Sequence, residues 1–190
     1  TNSQHTELTH NFLGFLVLWL RCAWAKVIGM DEVDAAIKVA EARGVGPRRA
    51  ACLWKAYGSF SAVHNSSVAE LSCILECDQR RAQIIRQSIR SSSVRSHRVR
   101  AARKGVVPIA FGQPHFPPLL SHIGDPPAVL WTRGNLKALQ EPAAAIVGAR
   151  TCSQYAPEVV SEFSRALCSA GWAIVSGGAR GVDAAAHRAA

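Results

Sequence analysis

Apolar positions along the chain follow two different periods, and the change between them falls near residue 105. Over residues 33–43, Val33, Ile37 and Ala40 recur at three- and four-residue intervals among charged positions, the spacing of one helix face. Gly44-Val45-Gly46 interrupts that period. Pro47 suits the first position of a second helix, and Ala50, Ala51, Leu53, Trp54 and Tyr57 give it an apolar face until Gly58. Ser67 with Glu70 three residues later fits a capping box opening a helix through Leu75, and residues 79–90 set Ala82, Ile85 and Ile89 on one side. These patterns predict roughly three or four short helices. Residues 91–100 are rich in Ser and Arg and carry no apolar period. They read as a basic linker or as the exposed end of the preceding helix, with a domain boundary expected within residues 92–104.

Beyond residue 105 the apolar runs shorten. Residues 106–111 and 128–131 read as strands flanking a proline-rich stretch, and residues 143–147 as a buried strand. A helix is expected over residues 157–170, packing Val159, Phe163, Ala166, Leu167 and Ala170, with Gly171 ending it. A further strand follows at residues 172–175, and a second helix begins near Ala184. Strand, helix, strand and helix at these lengths predict a parallel βαβ unit. The expected fold class is therefore α/β. A small all-helical domain of SAM-like or helix-hairpin-helix type over residues 30–100 precedes a Rossmann-like parallel βαβ domain over residues 105–190. That second domain is expected to be truncated, because a doubly wound sheet is not completed by Ala190.

Composition adds a core and a partner. Of the 190 residues 48% are hydrophobic and 18% charged, enough apolar material for packed domains rather than a disordered chain. A formal net charge of +9 favours a polyanionic partner. Its distribution is uneven, since residues 79–124 hold no Asp or Glu but include Arg80, Arg81, Arg95, Arg100, Arg103 and Lys104. A solvated basic face without a ligand is the alternative. The six cysteines form no CxxC pair and read as reduced thiols. Cys73 and Cys77 lie one turn apart without a second ligand pair, so no metal is expected.

The single methionine is Met30, and residues 1–29 are expected to be an upstream extension that does not pack onto the helical domain. Their apolar run, Phe12 to Leu20, is too short to cross a bilayer and is followed by Arg21 and Lys26. The expected location is cytoplasmic, with no membrane role.

Two places carry candidate chemistry. The first is the hairpin turn, where Gly44 and Gly46 let backbone amides approach a phosphate and Arg48 and Arg49 add charge. An ordinary helical hairpin fits the same residues. The second is a pair of glycine-rich turns, Gly148-Ala149-Arg150 and Ser176-Gly177-Gly178-Ala179-Arg180-Gly181, each after a parallel strand and each with one arginine. Phosphate is the natural guest there, and tight structural turns are the alternative. Neither turn is GxGxxG or GxxxxGK[ST], so dinucleotide and ATP chemistry lack support and no cofactor is expected. Asp183, placed before a helix, is expected to cap its free amides, with His187 one turn on bonded to it.

The order and spacing of Phe116-Pro117-Pro118-Leu119-Leu120, Asp125-Pro126-Pro127, Ile146-Val147-Gly148-Ala149-Arg150, Ser153-Gln154-Tyr155, and Val175 through Asp183 with Ala186-His187 resemble the DprA/Smf family of DNA-processing proteins. The likeness is strong over residues 105–190. It is weaker but collinear over residues 42–90, where Gly44 to Arg49 and Tyr57-Gly58-Ser59 carry it. Ala149 and Ala156 depart from the family pattern, and Ala156 bears on the shape of the second half of the turn.

The resemblance implies a non-enzymatic protein that holds single-stranded DNA in a basic pocket of an extended Rossmann-like domain. It also implies a homodimer when full length, and delivery of the strand to the RecA recombinase in natural transformation. Gly148, Arg150, Ser153, Ser176, Gly177, Arg180 and Gly181 are the positions implied to line the pocket. Gly44, Gly46, Arg48 and Arg49 are a possible second DNA contact. The competing reading is a Rossmann-like nucleotide phosphoribohydrolase, whose Pro-Gly-Gly-x-Gly-Thr loop does not occur in these residues.

Overall fold

The structure, a computed structural model, describes residues 31–190, and the expectation for residues 1–29 lies outside the described residues. The chain divides after Gly134 into two compact units, and it mixes helices with small sheets.

In the first unit α1 (Glu32–Glu41) starts at Asp31, whose carboxylate accepts from the Val33 amide at 3.2 Å. It buries Val33, Ala35, Ala36, Ile37 and Val39, so it runs through the centre of the unit rather than along its surface. Ala40, expected inward, is exposed, because the buried stripe continues through Val39 and Ala42 instead. The turn through Gly44 leads to α2 (Pro47–Tyr57), which ends as expected at Gly58, a left-handed residue at φ 69°. A short helix α3 (Phe60–Val63) follows. The Glu32 side chain of α1 accepts from the amides of Phe60 and Ser61 at 2.5 and 3.1 Å, satisfying the first donors of α3. The capping box of Ser67 and Glu70 opens α4 (Val68–Ile74), and Asp78 caps α5 (Gln79–Ser91), which buries Ala82, Ile85 and Ile89 as their period predicts.

Residues read from the sequence as a basic linker or as the exposed end of the preceding helix form a helix of their own, α6 (Val94–Arg103). Two small apolar residues two turns apart, Val94 and Ala101, suffice to seat it. The Arg98 guanidinium fastens it to α1 by pairing with Asp34 at 2.6 Å and with Asp31. The apolar pattern is too sparse to register as amphipathic, because only one apolar residue per two turns is buried.

The strands β1 (Val107–Ala110) and β2 (Val129–Thr132) pair antiparallel with Ile109 opposite Leu130, and a short helix α7 (Pro118–Ser121) lies between them in sequence. Ala110 and Ala128 belong to the same buried core as the helices. Phe111 stands edge-on to Trp54 with ring centroids 5.1 Å apart, and to Phe116 at 5.2 Å. Because this hairpin packs on the helices, the stretch 92–104 lies inside the first unit.

The second unit is a single βαβα run. After a 3-10 turn (Leu136–Leu139) come β3 (Ala143–Ala145), α8 (Tyr155–Ser169), β4 (Ala173–Val175) and α9 (Val182–Ala189). β3 and β4 are parallel neighbours with Ala144 opposite Ile174. Of the α8 face expected inward, Val159 and Leu167 are half-buried, but the fully buried position is another. Ser164 is fully buried, Phe163 is 61% exposed, and Ala166 and Ala170 are also exposed. α9 packs on α8. Among the described residues no helix is long and apolar enough to cross a membrane.

Candidate functional site

The parallel pairing of β3 and β4 brings the two glycine-rich turns together. The ladder extends one residue past the strands through the Ile146 amide to the Val175 carbonyl at 3.0 Å. The Ser176 hydroxyl then donates to the Ile146 carbonyl at 2.6 Å. Ser176 therefore fixes where the two turns diverge.

Beyond that point the turns touch directly. The Val182 amide donates to the Ala149 carbonyl at 3.3 Å. Gly181 sits at φ 82°, and a Cβ there would run into the carbonyls of Ala149 and Arg150, so the backbone of one turn lies against the other. Gly148 is similarly confined, since a side chain would meet Val182 at 2.8–2.9 Å. The glycines thus allow the close approach that places Arg150 and Arg180 on adjoining backbone. Both arginines are exposed and make no hydrogen bond or ion pair among the described residues. Ser153 is exposed farther along the first turn, and Tyr155, 71% exposed, opens α8 beside it.

Asp183 does something different from the expected cap. It lies in the first turn of α9, which has no side-chain cap, and its Oδ1 accepts from the Gly148 amide at 3.3 Å. The carboxylate is 7% exposed and lies so close to Gly177 that a Cβ there would be 2.5 Å from Oδ2. His187 does not bond to Asp183. Its Nε2 meets the Gly177 carbonyl at 3.0 Å. Two side chains of α9 thus hold the two turns, a role that sequence spacing alone did not reveal, because the partners are remote in the chain. The arrangement exposes two guanidinium groups at adjoining turns ahead of a helix N-terminus and keeps the Asp183 carboxylate buried, which suits an anion.

The hairpin in the first unit has a different character. Gly44 adopts φ 85° and Gly46 precedes α2 without a side-chain cap. The Arg49 Nη1 donates to the Gly44 carbonyl at 2.6 Å, so this arginine closes the turn on itself. The cleft in front of Pro47 and Arg48 is also lined by Glu76 and Asp125, whose carboxylates oppose an incoming phosphate. Of the aromatic residues near either region, Phe116 is buried at 4% and Phe111 is wedged between Trp54 and Phe116, leaving Tyr155 accessible for stacking.

A family model described as DNA recombination-mediator protein A matches residues 108–190. The chain is 35% identical over 115 residues to the DNA processing protein DprA of Bacillus subtilis, covering 59% of this chain and 39% of that protein. It is 44% identical over 71 residues to the DprA of Streptococcus pneumoniae, covering 37% of this chain and 25% of that one. Protein Smf of Escherichia coli is 40% identical over 75 residues, 40% of this chain and 20% of that protein. The X-ray structure of DprA from Streptococcus pneumoniae superposes with a TM-score of 0.66 at 25% identity, over 85% of this chain and 54% of that chain. The chain spans less than half the length of these curated relatives.

Proposed function

We propose that this chain, which belongs to the DprA/Smf family, acts in DNA processing and recombination by binding single-stranded DNA at the paired turns after β3 and β4. The observation that carries the reading is the contact of the two turns at Gly181, which sets the free guanidinium groups of Arg150 and Arg180 on adjoining backbone. Gly148, Ser153, Ser176 and Gly177 complete the site, with Ser176, which follows β4, and the glycines holding the turns close together. Residues 30–100 are read as a SAM-like, helix-hairpin-helix domain and residues 105–190 as part of a Rossmann-like domain. The protein catalyses no reaction on this reading. Its relatives are named as DNA processing proteins. In the full-length protein the bound strand would pass to the RecA recombinase during transformation, from a homodimer in the cytoplasm.

Phosphate contacts made by arginine release counterions, and on single strands each contributes about −0.7 to the slope of log affinity against log salt. Labelled oligothymidine titrated against the chain at several salt concentrations tests the site. Arg150→Ala and Arg180→Ala should each flatten the slope by about 0.7 and weaken binding to all sequences alike. Unchanged affinity and slope in both variants, with circular dichroism showing them folded, would remove the turns from the DNA site. Hydrolysis of a nucleoside monophosphate that disappears in Arg150→Ala would favour the phosphoribohydrolase instead.

A further inference from the structure

The outer face of α6 is a second strongly basic surface, and it belongs to the first unit. With Val94 and Ala101 buried and His97 and Arg98 turned toward the body of the unit, Arg95, Arg100, Arg103 and Lys104 are left exposed around Val99, which is 44% exposed. These four cations make no hydrogen bond or ion pair among the described residues, in contrast to Arg98 on the same helix, which is held by Asp31 and Asp34. They line one shallow depression with Ser96 and Val99, and no carboxylate lines it. Such a concentration of like charge on ten residues is self-repulsive in the free protein, and an anion lying along the helix relieves it.

The same helix carries an aromatic neighbour. The His97 ring stacks on Trp131 of β2 with centroids 6.4 Å apart and planes inclined at 27°, and Trp131 remains 40% exposed. Arg100 follows His97 by three residues, one turn farther along α6, and Lys104 caps the end of the helix. A row of cations beside an accessible indole is the combination that tracks a phosphate backbone while a base stacks. From Arg95 to Arg103 the helix rises about 12 Å. At a stacked spacing of about 3.4 Å per nucleotide this accommodates roughly four phosphates.

We propose that the Arg95–Lys104 face of α6, together with Trp131, is a binding surface for the backbone of single-stranded nucleic acid, distinct from the turns of the second unit. It stands without the reading given under Proposed function, because no residue of those turns takes part.

The test uses the whole chain and labelled oligothymidine over a range of salt. The triple variant Arg95→Gln, Arg100→Gln, Arg103→Gln changes only exposed side chains, and circular dichroism verifies its fold. It should flatten the salt slope by about 2, three contacts at about 0.7 each, both in the otherwise unchanged chain and in an Arg150→Ala, Arg180→Ala background. Trp131→Leu should remove part of the tryptophan fluorescence quenching that oligothymidine produces in the parent chain. A triple variant that loses binding while the Arg150→Ala, Arg180→Ala chain binds normally supports this surface and counts against the turns. A folded triple variant with unchanged affinity and slope overturns the proposal. So does one that loses binding to phosphatidylglycerol vesicles while its oligothymidine binding is unaltered, which assigns the face to a membrane surface.

Discussion

The Asp183 carboxylate accepts the Gly148 amide at 3.3 Å across 35 positions of sequence, so the first turn of α9 is tied to the turn that follows β3. The bond makes the geometry of the arginine-bearing turns depend on a side chain that faces away from solvent.

Removing that acceptor should loosen the second unit. A hydrogen bond to a charged group contributes about 1.5–3 kcal/mol, and Asp183→Ala is expected to cost about that much, whereas Asp183→Asn keeps an acceptor and should cost less. Hydrogen exchange of the Gly148 and α9 amides, with urea unfolding for the totals, distinguishes the two. Equal losses in both variants would show that the charge, rather than the bond, is what matters.

Gly181 is expected to tolerate no side chain. At φ 82° an alanine is strained, and its Cβ meets the carbonyls of Ala149 and Arg150. Backbone strain of this kind costs about 1–3 kcal/mol before the steric conflict is added. Gly181→Ala should therefore lower the midpoint of thermal unfolding of the second unit and weaken oligothymidine binding together. Gly124→Ala, with open space around the position, serves as the neutral control.

In the first unit packing should outweigh charge. Ile85 is fully buried in the common core, and Ile85→Ala is expected to cost about 2–5 kcal/mol. The Arg98 pairs with Asp31 and Asp34 are partly exposed, so Arg98→Ala should cost less than about 1 kcal/mol. Urea denaturation of the two variants decides, and a larger loss in Arg98→Ala would mean that α6 is held mainly by its ion pairs.

Acid should destabilise the first unit near the ordinary histidine range. Burial, followed by the charges of Lys38 and Arg90, lowers the pKa of His64 below 6.5 in the folded state. The unfolded chain then binds the proton more readily. Stability from this group is complete above about pH 6.5 and declines as pH falls from there toward the lower folded value. His64→Gln should remove that part of the pH dependence, seen in thermal midpoints collected between about pH 7.5 and 5. A midpoint profile identical to the parent's would exclude His64 as its source.

Much of the local structure was legible because it depends on near neighbours. Pro47 and Gly58 bracket α2, Ser67 and Glu70 cap α4, and the period of Ala82, Ile85 and Ile89 marks the inner face of α5. The parallel strands were legible for a related reason. Apolar runs ending in glycine-rich turns, separated by one helix, leave few ways to pair, and β3 with β4 is the simplest of them. The candidate turns were found in the same way, from residue types that permit an unusual backbone.

What stayed hidden depends on surfaces that meet only after folding. Val94 and Ala101 become buried anchors, and Arg98 pairs with Asp31 and Asp34, only once the rest of the first unit is in place, which no window of α6 by itself contains. Of the α8 face expected inward, Val159 and Leu167 are half-buried, while Ser164 takes the buried position and Phe163 stays outside. Asp183 and His187 have the positions of a cap and its partner, yet the geometry at Gly181 turns them toward Gly148 and Gly177. Periodicity reports which faces want burial and capping chemistry reports where helices begin. Neither contains the distance between remote segments, and that distance alone chooses each buried side chain's partner.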